Sequence, residues 1–413
     1  MSNRIEFTKE MKRDYTILIP NMLPIHLKLV GEIFRLHGYR MELLENEGPA
    51  VVEAGLKYVH NDTCYPALLC IGQFIDALQS GRYDVHKTAL IITQTGGGCR
   101  ASNYIFLLRK ALEKAQLGFV PVISLNPLGM EKNSGFKITL TILLQAMLMI
   151  LYADVLMCLK NQVEPYENEE GACAKLADAW ADQLTRQFER SPRLAARRFR
   201  RNIAAIARDF NAVPYTPAKK VRVGIVGEIY VKYSHVANNH LERFLLSQGC
   251  EVTVPGLMGF LLSSLDHNID DISLYGGSRA KQLGLRLVMR LANRVERSIS
   301  SAIRKNSRLE PPTPYSTTRS KLGGMLGRGC KMGEGWLLTA EMCELIDAGV
   351  PNIVCVQPFG CLPNHIAGKG TIRALREKYP RANIVPIDYD PGATRVNQEN
   401  RLKLMLSVAR EEG

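Results

Sequence analysis

Three cysteines share one local setting. Cys64 stands in Asn61-Asp62-Thr63-Cys64-Tyr65-Pro66, Cys99 in Thr95-Gly96-Gly97-Gly98-Cys99-Arg100, and Cys361 in Pro358-Phe359-Gly360-Cys361-Leu362-Pro363. Each follows a strand-like run or a turn and precedes a helical pattern. A helix start offers unpaired N–H groups and partial positive charge. Both lower a thiol's pKa and favour the thiolate, the form that binds metal. Pro66 and Pro363 suit a first helical turn, where no N–H is needed. Gly97, Gly98 and Gly360, with Gly96 beside them, let the backbone come close and aim N–H groups at an anion. A cluster sulfide is such an anion. The pattern therefore points to an iron–sulfur cluster on Cys64, Cys99 and Cys361, cradled by Gly97, Gly98 and Gly360.

The spacing narrows the chemistry. No C-x-x-C occurs in the chain, which disfavours thioredoxin chemistry, zinc ribbons and the tight ferredoxin ligand run. Ligands so far apart in sequence must converge from both halves of the molecule. Three thiolates on a [4Fe-4S] cluster leave one iron without a protein ligand, open to water or substrate by the logic of catalytic zinc sites. A double cubane, [8Fe-9S], needs more thiolates, from Cys330 in Gly327-Arg328-Gly329-Cys330 or from a partner chain. The plainer reading, open for these three cysteines as well, is buried structural thiols. It suits Cys70, Cys158, Cys343 and Cys355, which sit inside apolar patterns, and Cys173 and Cys250 are read as incidental.

Two further residues could move protons. Glu228 follows the run Val221–Gly227 at a strand's carboxyl end, and His365 stands one helical turn after Cys361. The plainer readings are a turn cap for Glu228 and local packing for His365. Gln94, Thr95, Ser124, Asn126 and Asn364 are candidates to line the cleft.

The elements that must position these residues alternate. Tyr15–Pro20, Arg40–Leu44, Thr88–Thr93 and Val120–Ile123 read as strands, separated by helices over Pro24–His37, Pro66–Gln79 and Arg100–Gln116. A second series opens at Val221–Gly227, with strands at Glu251–Val254, Asn352–Val356 and Asn383–Ile387. Its helices cover Asn239–Ser247, a long basic stretch, Gly333–Ala348, Thr371–Lys378 and Val396–Arg410. Such alternation predicts an α/β protein with two parallel, doubly wound sheets whose ligands bind at the strands' carboxyl ends. The domains are read as 1–160, a helical connector over 161–218, and 219–413, with the cluster in the cleft between the two α/β domains.

Composition sets the limits. At 413 residues, 46% hydrophobic and 23% charged, roughly 100–200 residues per domain gives two or three domains. Ten cysteines without an apolar leader in MSNRIEFTKEMKRDY argue for a reduced, cytoplasmic protein rather than a disulfide framework. Ile138–Ala153 carries no charge but is only about 16 residues long, short of the ~20 that span a bilayer, so a buried helix is expected and no membrane. The formal charge of +13 concentrates in Arg186–Arg201 and Arg279–Arg308. These stretches read first as solvated helix faces and second as a docking face for an acidic partner. Nucleic acid is disfavoured, because no zinc finger, basic zipper or RNA-binding aromatic motif is present.

Several strings resemble a known family: Tyr58–Ala67 (YVHNDTCYPA), Thr93–Tyr104 (TQTGGGCRASNY), Val122–Asn126 (VISLN), Gly227–Ser234 (GEIYVKYS), Gly333–Leu338 (GEGWLL), Gln357–His365 (QPFGCLPNH) and Asp388–Ala393 (DYDPGA). The chain resembles the 2-hydroxyacyl-CoA dehydratase subunits and the double-cubane-cluster proteins. It resembles more closely the C-terminal part of large acyl-CoA dehydratase activase-related proteins. The resemblance implies two flavodoxin-like domains with a cluster between them, held by three cysteines that fall on Cys64, Cys99 and Cys361. It implies a low-potential electron from an ATP-hydrolysing activator, passed to a 2-hydroxyacyl-CoA thioester whose ketyl radical expels water. For the double-cubane proteins it implies reduction of small molecules. It also implies pairing with a like or related subunit. The ATP-binding modules of the large relatives are missing and no P-loop is present, so the activator is expected to be a separate protein. A non-catalytic electron-transfer role stays open beside the enzymatic one.

Overall fold

The structure, a computed structural model, describes residues 4–60, 62–95, 97–126, 131–192 and 194–411. Asn61, Gly96 and Arg193, from the stretches singled out above, lie outside the described residues.

Two four-stranded sheets form, and all their strand pairs are parallel. The first contains β1 (Thr16–Ile19), β2 (Arg40–Leu43), β3 (Thr88–Thr93) and β4 (Val122–Leu125), in the order β2-β1-β3-β4. The second contains β5 (Arg222–Gly227), β6 (Glu251–Thr253), β7 (Asn352–Pro358) and β8 (Asn383–Tyr389), in the order β6-β5-β7-β8. The two sheets thus repeat one winding. The central strands are the apolar, β-branched runs. In β7 every residue is buried, as a parallel strand covered by helices on both faces requires.

The order reverses beside β1 and β3 in the first sheet, and beside β5 and β7 in the second. Crevices open at such switch points, outside the carboxyl ends of the strands. The loops after β3, β5 and β7 carry Cys99, Glu228 and Cys361 respectively.

The helix Tyr65–Gln79 buries 13 of its 15 residues. One apolar cluster joins it to both sheets, running from Leu18 and Leu68 to Val354 and Tyr389. The helix Pro49–Tyr58, which the sequence pattern does not announce, packs on it through glycines. A Cβ on Gly72 would lie 2.1 Å from the Val51 carbonyl oxygen. The other face of the first sheet is covered by Pro24–Leu36, Leu140–Val163, Ala172–Arg190 and Ala196–Ala212. The segment 161–218 therefore packs against the first sheet as well as leading to the second.

Several expectations shift. The helix expected over Arg100–Gln116 is a short 3-10 turn, Arg100–Ser102, followed by Tyr104–Lys114. The apolar helix does not stop at Ala153: it runs over Leu140–Val163, 24 residues. The charge at position 154 ends nothing, because Asp154 is a buried acceptor. Its oxygens accept from the amides of Leu257 (2.8 Å) and Met258 (2.9 Å), and His26 Nε2 lies at 2.8 Å. Asp154 thus caps the start of another helix, Leu257–Tyr275. Among the described residues the helix at 140–166 is long and apolar enough to cross a membrane, with half of its most apolar window buried. The single basic helix expected after β6 is two, Leu257–Tyr275 and Arg279–Asn306. They part at Gly276 and Gly277, whose φ angles are 84° and 145°. The second is not a purely polar face, since Leu283, Leu287 and Leu291 are exposed one turn apart.

Candidate metal centre

Cys64, Cys99 and Cys361 each occupy the position before a helical turn, with extended backbone: φ/ψ −67/148°, −74/142° and −91/91°. For Cys99 the turn is the 3-10 segment rather than an α-helix. The loop after β7 folds back through Gly360, φ 75°, and lies directly on the Cys64 turn. The Tyr65 amide donates to the Phe359 carbonyl at 3.1 Å. A Cβ on Gly360 would meet Cys64 Cα at 3.2 Å. Glycine is required there by both the left-handed φ and the contact. The third turn joins from the first sheet, where the Arg100 guanidinium donates to the Asp62 carbonyl. Charge on Cys64 acts on Cys99, and charge on Cys99 acts on Cys361.

A relay fixes the Cys99 loop. Asn126 Nδ2 donates to Ser124 Oγ at 2.7 Å, Ser124 Oγ to Gln94 Oε1 at 2.7 Å, and Gln94 Nε2 to the Ser102 carbonyl at 3.2 Å. Gln94, Ser124 and Asn126 therefore position the loop from the ends of β3 and β4. Gly97 has φ 75°. The Gly98 amide faces Met332 Sδ at 3.3 Å, so that N–H is already engaged by a thioether sulfur rather than left free as expected.

The thiols are less acidic than their helix-start position suggests. Burial, the largest influence on each, pushes all three up, Cys99 to about 11. The amides of Ala67, Ala101 and Asn364 pull the other way, although none makes a full capping hydrogen bond. For Cys64 the Arg100 charge also pulls down, but desolvation of the thiolate outweighs both that charge and the helix-end field. Tyr104 O–H and Cys64 Sγ form a hydrogen bond at 2.8 Å.

Two carboxyl groups meet beside the thiols. Glu228 caps the short helix Ile229–Tyr233, its Oε2 accepting from the Val231 amide at 2.9 Å. The Ile229 amide, one residue from the cap, donates to Glu334 Oε1 at 2.9 Å. Burial first, and for Glu228 the Glu334 charge next, push both carboxyls up, Glu228 to about 8. Their charges act in turn on Cys99 and Cys361. Glu228 is thus both a turn cap and a site residue. On the same short helix Lys232 Nζ reaches Glu341 at 3.4 Å, both side chains enclosed.

Glu334, Tyr104 and Lys232 were not anticipated. Glu334 had a signal: a carboxylate between Gly333 and Gly335 ahead of an apolar helix, where φ angles of 59° and 53° turn the chain tightly. Tyr104 had none, being one more aromatic in a helical pattern. His365 is half-buried and tied to Cys361 through its backbone amide, 3.2 Å from the Cys361 carbonyl. Among the described residues its ring makes no hydrogen bond or ion pair. Cys330 is half-exposed, and only burial acts on its thiol. Cys70 is buried beside Tyr230 and feels Cys64 and Glu228. Cys173, Cys250, Cys343 and Cys355 are buried in cores, whereas Cys158 is half-exposed with its Sγ 3.7 Å from the Glu310 carbonyl.

Among the described residues no three His, Cys, Asp or Glu side chains close around one metal position. The three thiols are soft ligands of the kind such clusters take. Asn364, in the helix that starts after Cys361, is fully buried with neither Oδ1 nor Nδ2 hydrogen-bonded. No family model matches the chain, and no curated protein matches it.

Proposed function

We propose that Cys64, Cys99 and Cys361 hold a [4Fe-4S] cluster, or part of a double cubane, in a flavodoxin-like pair of domains. In this reading the chain receives low-potential electrons from a separate ATP-dependent activator. The observation that carries the reading is the meeting of three cysteine-bearing turns, from both α/β units, beside two buried carboxyl groups. Bound there, the cluster would supply one-electron transfer and an iron without a protein ligand. The remaining work falls to side chains. Tyr104 orients the Cys64 sulfur. Glu228 and Glu334 share a helix end at which two negative charges are unfavourable, so the pair keeps a proton for delivery. Lys232, locked to Glu341, places a compensating positive charge behind them.

This arrangement suits dehydration of a 2-hydroxyacyl-CoA thioester or reduction of a small molecule. Both consume protons together with electrons at some step, whereas a pure electron carrier needs no paired acid. A cytoplasmic homodimer, or a heterodimer with a related subunit, belongs to the same reading.

The test is made anaerobically. The iron-loaded protein is reduced with a low-potential donor and mixed with a series of 2-hydroxyacyl-CoA esters and small oxidants. A change in its visible spectrum with one of them, lost in Glu334→Gln while iron is retained, supports the catalytic reading. Reduced protein that passes electrons onward yet responds to none of them is a carrier.

A further inference from the structure

A second constellation lies away from the three thiols, in a cleft of about 830 Å³. That volume is in the range of small-molecule sites. Four guanidinium groups converge on it from three elements. Arg286 and Arg290, one turn apart, come from the helix Arg279–Asn306; Arg319 comes from Tyr315–Lys321; Arg328 comes from the glycine-rich loop that follows. Two of the four are ion-paired with buried carboxylates. Arg319 Nε lies 2.5 Å from Asp266 Oδ2, and Arg328 Nη1 lies 2.9 Å from Asp270 Oδ1. Arg286 and Arg290 make no ion pair or side-chain hydrogen bond among the described residues, so positive charge exceeds negative in the cleft by two. The cleft also holds an acceptor without a donor. Asp270 is 3% exposed, and its Oδ2 is buried with no hydrogen-bond partner.

We propose that this cleft binds a small soluble phosphate ester with a free hydroxyl close to its phosphates, of which a nucleoside diphosphate is the model. Planar guanidiniums match phosphate oxygens two at a time. The two ion-paired arginines keep unused N–H donors after pairing, since each guanidinium has five. Arg286 and Arg290 close on the ligand from the facing helix. Asp270 Oδ2 takes the hydroxyl hydrogen, as a carboxylate does for a ribose. The assignment does not depend on the cluster.

The test is calorimetric titration of the full chain with ADP and with inorganic pyrophosphate. Both are expected to bind, ADP more tightly. R286A/R290A should weaken both at least about 30-fold, the effect of two modest charge-assisted contacts. D270N should reduce the preference for ADP over pyrophosphate. Because Arg286 and Arg290 have no partners, the double variant should melt with the parent. The proposal is overturned if neither ligand binds at millimolar concentration, or if R286A/R290A binds undiminished. Binding to phosphatidylglycerol vesicles but to neither soluble phosphate would also overturn it, in favour of a lipid surface.

Discussion

Tyr104 illustrates what a single hydroxyl contributes. Its hydrogen bond to Cys64 is enclosed, and burial holds the phenol protonated. Tyr104→Phe should retain iron but shift the visible spectrum and midpoint potential, because hydrogen bonds to sulfur tune such centres. Unchanged spectra and potential would show that the hydroxyl does not address a ligand sulfur. His267 offers a second test at this scale. It lies edge-on to Trp336 with ring centroids 5.8 Å apart, and burial pushes its pKa down to about 4. Between about pH 6.5 and 4 the unfolded chain takes a proton that the folded chain refuses. Stability should therefore fall as pH drops through that window, by up to about 3 kcal/mol, and His267→Phe should flatten the slope in denaturant titrations. The helix-start positions of the three cysteines were legible because glycine and proline frame them. Their protonation was not, because sequence shows the helix start but not the depth of burial that opposes it.

At the scale of elements, Asp154 joins parts remote in sequence. It receives two amides at the start of Leu257–Tyr275 and meets His26 across the first sheet's outer layer. Asp154→Ala strands those donors and should cost roughly 2–4 kcal/mol, read as a lowered denaturant midpoint. A loss below about 0.5 kcal/mol would mean the cap is not structural. Gly360→Ala should be worse for the site than for the fold. A Cβ would press the Cys361 loop off the Cys64 turn, so iron content should drop while far-ultraviolet circular dichroism is retained. Most strands were readable, since buried parallel strands are short continuous apolar runs. Helix ends were less so. Asp154 looks like a terminus in sequence but is a buried capping acceptor. The helix Pro49–Tyr58 depends on Gly55 and Gly72 packing face to face, a tertiary feature with no local pattern.

At the scale of the molecule, one winding is used twice, and a single apolar cluster joins both sheets through the helix Tyr65–Gln79. Alternating strands and helices made the two halves visible in the sequence. Their joining was not visible, because it rests on which faces of that helix are covered. A centre held by ligands from both units should stabilise the whole, since anything bound only to the folded state raises its stability. Removal of iron by chelation should lower the melting temperature of the parent protein and leave that of Cys361→Ala unchanged. The most direct test is iron and sulfide content after anaerobic purification from a cluster-competent host. It compares the parent with Cys64→Ala, Cys99→Ala and Cys361→Ala, and with Cys343→Ala as a core control. At least about four iron and four sulfide per parent chain are expected, with loss in each of the three ligand variants and retention in the control. A colourless, iron-free parent protein, or iron undiminished in all three variants, would contradict cluster ligation by these cysteines.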